Sequence, residues 1–262
     1  MQSNIPNIPT ILVIGGHDPT GGAGIQADIE TIKSLNCHPV TLITCLTSQN
    51  TYEFKNLIPV DSNFFKEQAN LLISDVNIDY IKIGAIGSIN IANEIIKILK
   101  KIKKKVILDP IISASMGGKL THSKLQKKIK EEIFPLSYLI TPNADEAIKF
   151  SKGINLQNPD WTFSINSKNI LLKDIHPKEN RIINQLYLSN KLSKQWSIKR
   201  SPKNYHGTGC TLAAGISAFL AQKNNLEKSI DLALKFVKYS MKDSFELGKG
   251  QRILRRVSTS IE

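Results

Sequence analysis

The chain has 262 residues, of which 41% are hydrophobic, and a formal net charge of +13 at pH 7. This length predicts a single domain spanning residues 1–262, and the apolar fraction suffices for a substantial core. Three cysteines without a C-x-x-C pair argue against a disulfide framework or a zinc site, and the lack of a basic-then-apolar leader or of an apolar run of about 18 residues predicts a cytoplasmic protein with no membrane partner.

The positive charge invites a nucleic-acid interpretation, but the composition argues against one. Only five of the 35 basic residues are arginine, and aromatic residues make up 6% of the chain. A nucleic-acid surface favours arginine with interleaved aromatic side chains. The densest lysine run, residues 97–105, is typical of the solvated carboxyl end of a helix. We therefore expect no nucleic-acid partner.

Short apolar strands alternate with helical patterns over the first two thirds of the chain. The strands are rich in Ile, Val and Leu and lack polar alternation, which is typical of strands buried on both faces of a parallel sheet. Strands are predicted at Thr10–Gly15, Val40–Leu46, Asp79–Ile83, Val106–Asp109, Ser137–Thr141 and Asn169–Leu172. The alternation predicts an α/β fold, a three-layer, doubly wound and mostly parallel sheet with its site at the carboxyl ends of the strands.

Towards the carboxyl terminus the pattern changes. Arg181–Leu188 and Gln195–Lys199 predict a small antiparallel hairpin at an edge of the sheet. Two helices, Thr208–Gln222 and Leu226–Glu246, are expected to close the domain. Residues 153–168 carry the weakest pattern and are expected to form a loop.

A glycine-rich run, GGHDPTGGAGIQAD at residues 15–28, links the first strand to a helix. It contains a G-x-G-x-x-A match, but the dinucleotide-binding fingerprint also needs an acidic residue at the end of the next strand. This chain has Thr47-Ser48-Gln49-Asn50 there, and it has no G-x-x-x-x-G-K-[ST]. Neither a dinucleotide-binding turn nor a P-loop is therefore predicted.

Single polar residues near the strand ends differ in how strongly they indicate a functional site. Asp18 before Pro19 and Asn143 after Pro142 are by default turn or cap residues. Asp28 follows Ile25 by three residues, at the border of a buried helix face, where an unpaired carboxylate is costly. We therefore expect Asp28 to have a partner.

The run YHGTGCTLAAG at residues 205–215 places two glycines at the start of a long apolar helix. The first amides of a helix lack carbonyl partners and lie at the positive end of the macrodipole, so this start is a candidate anion site. Cys210 falls in the first turn, where a lowered thiol pKa is expected. On this run alone, an ordinary helix start with small residues for packing remains an equal alternative.

These runs, taken in order along the chain, resemble a known family. With GGHDPTGGAGIQAD, HGTGCTLAAG and the shorter runs TSQNT at 47–51, IG at 83–84, LDP at 108–110 and ITPNADEA at 140–147, the chain is similar to the bacterial hydroxymethylpyrimidine/phosphomethylpyrimidine kinases of thiamine biosynthesis. The match covers residues 10–250. The resemblance implies a ribokinase-like fold and phosphorylation of a small pyrimidine from ATP with Mg²⁺.

The resemblance also implies a role for each matching residue. The pyrimidine would be bound by Asp28, Gln49, Gly16 and Ala85. The nucleotide would be bound by Asn143, Lys173, His206 and Lys249. Mg²⁺ would be held by Asp109 and Glu146. The transferred phosphoryl group would be held by Gly207, Thr208 and Gly209, and Cys210 would take the hydroxyl proton or assist its loss.

Three departures from the family pattern weaken parts of this assignment. Ser115 stands in a flap where most relatives have a lysine, Ala85 replaces a methionine, and Asp174 replaces a glycine near the expected triphosphate. Two alternatives therefore stay open: a pyridoxal or pyridoxine kinase, and a noncatalytic pyrimidine-binding relative. Asp28 and Gln49 favour the aminopyrimidine, because a carboxylate and an amide suit an amino group beside ring nitrogens. A homodimer is also expected, although no motif specifies it.

Overall fold

The computed structural model describes residues 8–113, 117–151, 165, 167–175 and 180–257. Nine strands form one sheet in the order β3-β2-β1-β4-β5-β6-β7-β8-β9. They are β1 (Thr10–His17), β2 (His38–Gln49), β3 (Phe54–Pro59), β4 (Tyr80–Ile83), β5 (Lys105–Leu108), β6 (Leu139–Ile140), β7 (Asn169–Ile175), β8 (Arg181–Leu188) and β9 (Lys191–Lys199). A second, two-stranded sheet pairs β10 (Tyr205–His206) with β11 (Arg252–Ile253).

The six strands from β2 to β7 in this order are parallel, whereas β3, β8 and β9 pair antiparallel at the two edges. From the central strand β1, the sheet first grows on one side through β2 and β3. The later strands, from β4 to β9, are added on the other side of β1. This reversal creates a crevice at the carboxyl ends of β1 and β4, the place where doubly wound sheets bind ligands.

Helices cover both faces of the sheet and define two apolar cores. The first face packs against α1 (Gly24–Ser34), α6 (Thr208–Ala221) and α7 (Leu226–Lys242). The other face packs against α2 (Ser62–Asp75), α3 (Ile89–Ile102), α4 (Ser123–Lys128) and α5 (Ala144–Phe150). A π-helical turn (Ile129–Ile133) and a 3₁₀ turn (Phe134–Leu136) follow α4.

α6 is the central helix of the first face. Every residue from Cys210 to Leu220 is buried, because the helix lies between the sheet, α1 and α7. This explains why its sequence is apolar on all sides. Gly215 lets α7 approach closely, since a Cβ built there would lie 3.2 Å from that of Ala233. The rigid setting of α6 fixes the position of its first turn.

The predicted fold is confirmed: three layers, a mostly parallel sheet and an antiparallel hairpin at one edge. All six predicted parallel strands are present, with bounds shifted by up to three residues. The predicted end of the last helix at Glu246 is wrong, because α7 ends at Lys242 and Phe245 bridges to Ile253. The sequence analysis also missed β3, whose mostly exposed residues carry no regular apolar pattern.

Two predictions from the sequence are not tested by the structure. Most of the predicted loop at 153–168 lies outside the described residues, and a single domain over 1–262 stays a prediction. None of the helices in the described part of the chain combines the length and apolarity needed to cross a membrane.

Candidate active site

A cavity of about 1170 Å³ opens at the carboxyl ends of the parallel strands. Its lining includes thirteen of the fourteen residues that the sequence analysis assigned to a site: Gly16, Asp28, Gln49, Ala85, Asp109, Asn143, Glu146, Lys173, His206, Gly207, Thr208, Gly209 and Cys210. These residues come from positions far apart in the chain. The sheet brings them together because most lie at or near the carboxyl end of a parallel strand or in the first turns of a helix.

Lys249 is the one assigned site residue that does not line the cavity. It is exposed, and its loop is anchored elsewhere: the amide of Gly250 donates to Thr51 Oγ1 at 3.1 Å. This loop packs beside the turn that follows β2, and Gln251 at its end lines the cavity, so nucleotide binding by Lys249 stays a prediction.

The turn after β1 is held by Asp18. Its Oδ1 accepts from the Thr20 amide and its Oδ2 from the Ala23 amide, both at 2.9 Å, as expected of a turn residue. Oδ2 also lies 2.7 Å from Nε2 of His206, which the sequence analysis did not foresee. Burial alone would raise the pKa of Asp18, but the bonds from His206 and Thr20 outweigh it and lower the pKa. Asp18 therefore ties the glycine-rich turn to the approach of α6.

The start of α6 lies directly against that turn. Gly207, its N-cap, adopts a left-handed conformation with φ of 80°, and a Cβ there would come within 1.9 Å of the Gly22 carbonyl oxygen. Among the described residues no side chain caps this helix, so its first amides lack a side-chain acceptor. The anion site at this helix start stays a prediction.

Arg256 locks these two loops together and was missed by the sequence analysis. It is 5% exposed, its Nε donates to Thr211 Oγ1 at 2.9 Å, and its Nη2 donates to the Gly22 carbonyl. Its Nη1 pairs with Glu30. No sequence motif distinguishes Arg256, because its partners lie more than 40 residues away.

The partner expected for Asp28 is Lys82, in the middle of β4. Lys82 Nζ lies 2.7 Å from Asp28 Oδ2, and both side chains are essentially inaccessible to solvent. Burial raises the pKa of Asp28 to about 6 despite the lysine charge. Burial disfavours the Lys82 charge, but Asp28 outweighs it and raises the pKa of the ammonium. A lysine inside the apolar strand YIKI was a signal available in the sequence.

A second buried pair lies at the neighbouring strands. Lys173 Nζ is 2.8 Å from Asp109 Oδ1, which also accepts from Thr141 Oγ1 at 3.0 Å. Burial would raise the pKa of Asp109, but Lys173 and Lys82 hold it below its usual value. A Cβ built on Gly209 would lie 3.4 Å from Lys173 Nζ, so the first turn of α6 faces this cation closely.

Asn143 and Glu146 form a capping box at the start of α5. The Asn143 side chain accepts from the Glu146 amide, and Glu146 Oε2 accepts from the Asn143 amide at 2.9 Å. Burial raises the pKa of Glu146 to about 7, against the nearby charge of Lys173. The expected cap role of Asn143 is confirmed, and the box leaves Glu146 facing the cavity.

The carboxylates supply hard oxygen ligands but not a complete metal site. Among the residues that the structure describes, no group of three or more His, Cys, Asp or Glu side chains could hold a metal ion. Mg²⁺ keeps several waters and takes its remaining ligands largely from phosphate oxygens. Asp109 and Glu146 therefore fit Mg²⁺ that arrives with a nucleotide, as its outer neighbours.

Of the departures from the family pattern, Ala85 lines the cavity and accepts a hydrogen bond from Thr44, and Ser115 lies outside the described residues. Asp174 lines the cavity at an irregularity of β7, in a left-handed conformation with φ of 52°. This is the conformation that favours glycine. Its Oδ1 is buried without a partner among the described residues.

Cys210 differs from the sequence expectation. Its thiol is 6% exposed, and burial raises its pKa to about 11, with Asp28 and Asp109 adding to the effect of burial. The expected lowering of this pKa is wrong, because desolvation and two carboxylates oppose the positive charge of Lys82 and the helix start. Cys210 is therefore a protonated thiol at neutral pH.

Comparison with known proteins identifies the family. The model of the family described as phosphomethylpyrimidine kinase matches residues 18–255. A hydroxymethylpyrimidine/phosphomethylpyrimidine kinase of Aquifex aeolicus is 32% identical over 251 residues, which cover 93% of this chain and 98% of that protein. A thiamine biosynthesis bifunctional protein of Geobacter sulfurreducens is 31% identical over 92% of this chain. The matched region covers 51%, about half, of the Geobacter protein.

Solved structures agree with this result. Phosphomethylpyrimidine kinase from Clostridium difficile superimposes with a TM-score of 0.75 at 27% identity, covering 89% of this chain and 99% of that one. Pyridoxal kinase from Staphylococcus aureus in complex with pyridoxal has a TM-score of 0.84 at 20% identity, with 97% of this chain and 96% of that one covered. The second likeness shows the shared fold.

The raised thiol pKa predicts slow chemical modification of the native protein. Cys37, Cys45 and Cys210 are all buried, and burial raises the pKa of each. Iodoacetamide at pH 7.5 should therefore label none of them rapidly, while the denatured chain should take up three equivalents. Mass spectrometry of labelled peptides measures this. Fast labelling of Cys210 alone in the native protein would contradict the buried, protonated thiol.

Proposed function

This chain belongs to the phosphomethylpyrimidine kinase family, and from that membership we propose that it transfers a phosphoryl group from ATP to 4-amino-5-hydroxymethyl-2-methylpyrimidine, to its monophosphate, or to both, in thiamine biosynthesis. The observation that carries the proposal is that one cavity has two chemically different ends. One end presents acceptors that are unpaired among the described residues and suit an aminopyrimidine, and the other presents helix amides without a side-chain cap in the described chain, beside the half-buried ammonium of Lys173.

The pyrimidine end is defined by Asp28 and Gln49. Asp28 Oδ1 and Gln49 Oε1 are both buried and have no hydrogen-bond partner among the described residues. The remaining polar atoms are occupied: Asp28 Oδ2 by Lys82, and Gln49 Nε2 by Thr47 Oγ1 at 2.9 Å. Two buried acceptors are costly unless a ligand donates to them. The exocyclic amino group of the pyrimidine supplies two N–H donors.

The phosphoryl end is defined by the first turn of α6 and by Lys173. In the proposed reaction the hydroxymethyl oxygen, or a phosphate oxygen of the monophosphate, attacks the γ-phosphorus, the bond to the bridging oxygen breaks, and ADP leaves. The hydroxyl proton passes to the Cys210 thiolate or to water. Phosphoryl transfer depends mainly on positioning and on neutralising charge. The amides at Thr208, Gly209 and Cys210 and the Lys173 ammonium supply both. Mg²⁺ bound with the nucleotide would neutralise further phosphate charge next to Asp109 and Glu146.

The far end of the cavity suits the rest of the nucleotide. It lies between β9, the following loop and α7, and its lining there contains six cations: Lys199, Arg200, Lys203, Lys235, Lys238 and Lys242. Apolar side chains of α7, Leu234 and Val237, lie among them. A basic rim around an apolar floor favours a polyanion that carries a planar base.

A homodimer and a cytoplasmic location belong to the same proposal. The dimer is supported by an exposed apolar cross-strand pair at the sheet edge: Leu46 on β2 and Ile58 on β3 are 51% and 63% exposed. Apolar pairs on an edge hairpin are typical of interaction surfaces.

Pyridoxal kinase is the second candidate, because pyridoxal also carries a hydroxymethyl group on a planar heteroaromatic ring. The substrates separate the two. A coupled assay of ADP release should show turnover with the hydroxymethylpyrimidine and much slower turnover with pyridoxal, since pyridoxal lacks the amino group that Asp28 and Gln49 would bind. Faster turnover with pyridoxal would reverse the assignment, and ligand binding without ADP release would support the noncatalytic alternative.

Removal of the Cys210 thiol should slow the reaction more than it weakens binding. General-base assistance is typically worth roughly 10²- to 10⁴-fold in rate. Because a protonated thiol must lose its own proton before it can act as a base, Cys210→Ala should reduce the single-turnover rate by at most about 10²-fold. Pyrimidine affinity and the thermal midpoint, measured on the same preparation, should change little. A normal rate would leave the amides and Lys173 as the catalytic groups.

A further inference from the structure

Lys82 is a charged side chain that the reaction as proposed does not use. It is 1% exposed, it stands between two buried isoleucines of β4, and it lines the active-site cavity. The chain has 35 basic residues, and Lys82 is among its largest fully buried side chains. Burial of an ammonium is expensive unless its partners are well placed.

The position of Lys82 is closely defined. A Cβ built on Gly84 would lie 3.0 Å from Nζ, so the glycine leaves room for the ammonium. Its hydrogen bond runs to Asp28 Oδ2 at 2.7 Å, and Oδ2 also lies 4.0 Å from where a Cβ of Gly15 would be. The other oxygen, Asp28 Oδ1, has no partner among the described residues.

We propose that Lys82 is a positioning residue for the pyrimidine: it occupies Asp28 Oδ2 and holds the carboxylate in one orientation, so that Oδ1 is presented to the amino group of the substrate. This inference rests on the proposed function. The Lys82 ammonium can only donate hydrogen bonds, so the oxygen that it contacts, Asp28 Oδ2, is used as an acceptor and Oδ1 stays open. A carboxylate held by one donor and left open at its other oxygen is a ready acceptor for a second donor.

The charges around Asp28 agree with this role. Asp28 on α1 faces Lys82 from β4, Asp109 from the end of β5, Arg256 from the carboxyl-terminal segment and the Cys210 thiol from α6. Lys82 contributes the largest charge effect that opposes burial of the carboxylate. Removing the lysine charge would leave burial and Asp109 to favour the protonated acid, which has an O–H donor of its own.

A purely structural ion pair is the alternative. Buried pairs can often be replaced by apolar groups without loss of stability, whereas removal of one partner is strongly destabilising. Stability alone therefore cannot separate the two roles, but substrate binding can. Since Asp28 is the group that would touch the ligand, a positioning role makes the effects of the two residues on pyrimidine affinity interdependent.

The test is a double-mutant cycle with Lys82→Met, Asp28→Asn and the double variant, with Lys105→Met on the neighbouring strand as the matched control. Isothermal titration calorimetry would measure the affinity for the hydroxymethylpyrimidine and, separately, for a nonhydrolysable ATP analogue. Thermal midpoints are recorded in parallel. Lys105 lies over the Tyr138 ring, away from the cavity lining, so its replacement should leave both affinities unchanged.

We expect Lys82→Met and Asp28→Asn each to weaken pyrimidine binding about 10- to 100-fold, the loss typical of a hydrogen bond to a charged group. Nucleotide affinity should be unchanged. In Asp28→Asn the Lys82 ammonium takes the amide oxygen and turns the NH₂ group towards the substrate. The double variant frees this amide, so it should bind pyrimidine no more weakly than Asp28→Asn and should regain thermal stability relative to Lys82→Met.

Two results would overturn the inference. Additive losses in the double variant would mean that Lys82 and Asp28 act independently, and normal pyrimidine affinity in Lys82→Met with a lowered thermal midpoint would mean that the pair is structural only. Wild-type protein that binds no pyrimidine would instead overturn the proposed function, and the inference with it.

Discussion

Two ion pairs, each of one carboxylate and one ammonium group, line the cavity. The arrangement of the site depends on them. Asp28–Lys82 joins α1 to β4, and Asp109–Lys173 joins the end of β5 to β7. Each of these four charges would be costly to bury alone, and each is balanced by a partner from a different element. The pairs therefore connect α1, β4, the end of β5 and β7 at this edge of the sheet.

The loops above the pairs are held by a separate network. Asp18 organises the glycine-rich turn and reaches His206, and Arg256 connects that turn with the first turn of α6. Gly207 is required where the two loops meet, because its left-handed backbone and its contact with the Gly22 carbonyl leave no space for a side chain. Consequently the amides at the start of α6 are fixed before any ligand arrives, which is the condition for electrostatic catalysis by a preorganised site.

The fold could be predicted from local sequence patterns, whereas the roles of the site residues came from the family resemblance and stay predictions. Apolar strands predict the parallel sheet, and residues near the carboxyl ends of its strands converge, as Gln49 and Asp109 do in the cavity lining. What the sequence did not reveal depends on long-range pairing: the partner of Asp18 is 188 residues away, and that of Gly22 is Arg256. The pKa of Cys210 was mispredicted for a related reason, since the helix start is visible in the sequence and the burial and carboxylates that outweigh it are not.

The central claim is that one cavity holds the aminopyrimidine at Asp28 and the transferring phosphate at α6. A crystal structure of the protein with the hydroxymethylpyrimidine and a nonhydrolysable ATP analogue tests it most directly. We expect the pyrimidine amino group within hydrogen-bond distance of Asp28 Oδ1 and the γ-phosphate on the amides of residues 208–210, beside Lys173. A pyrimidine whose amino group faces away from Asp28, or a triphosphate that ends away from the start of α6, would contradict it.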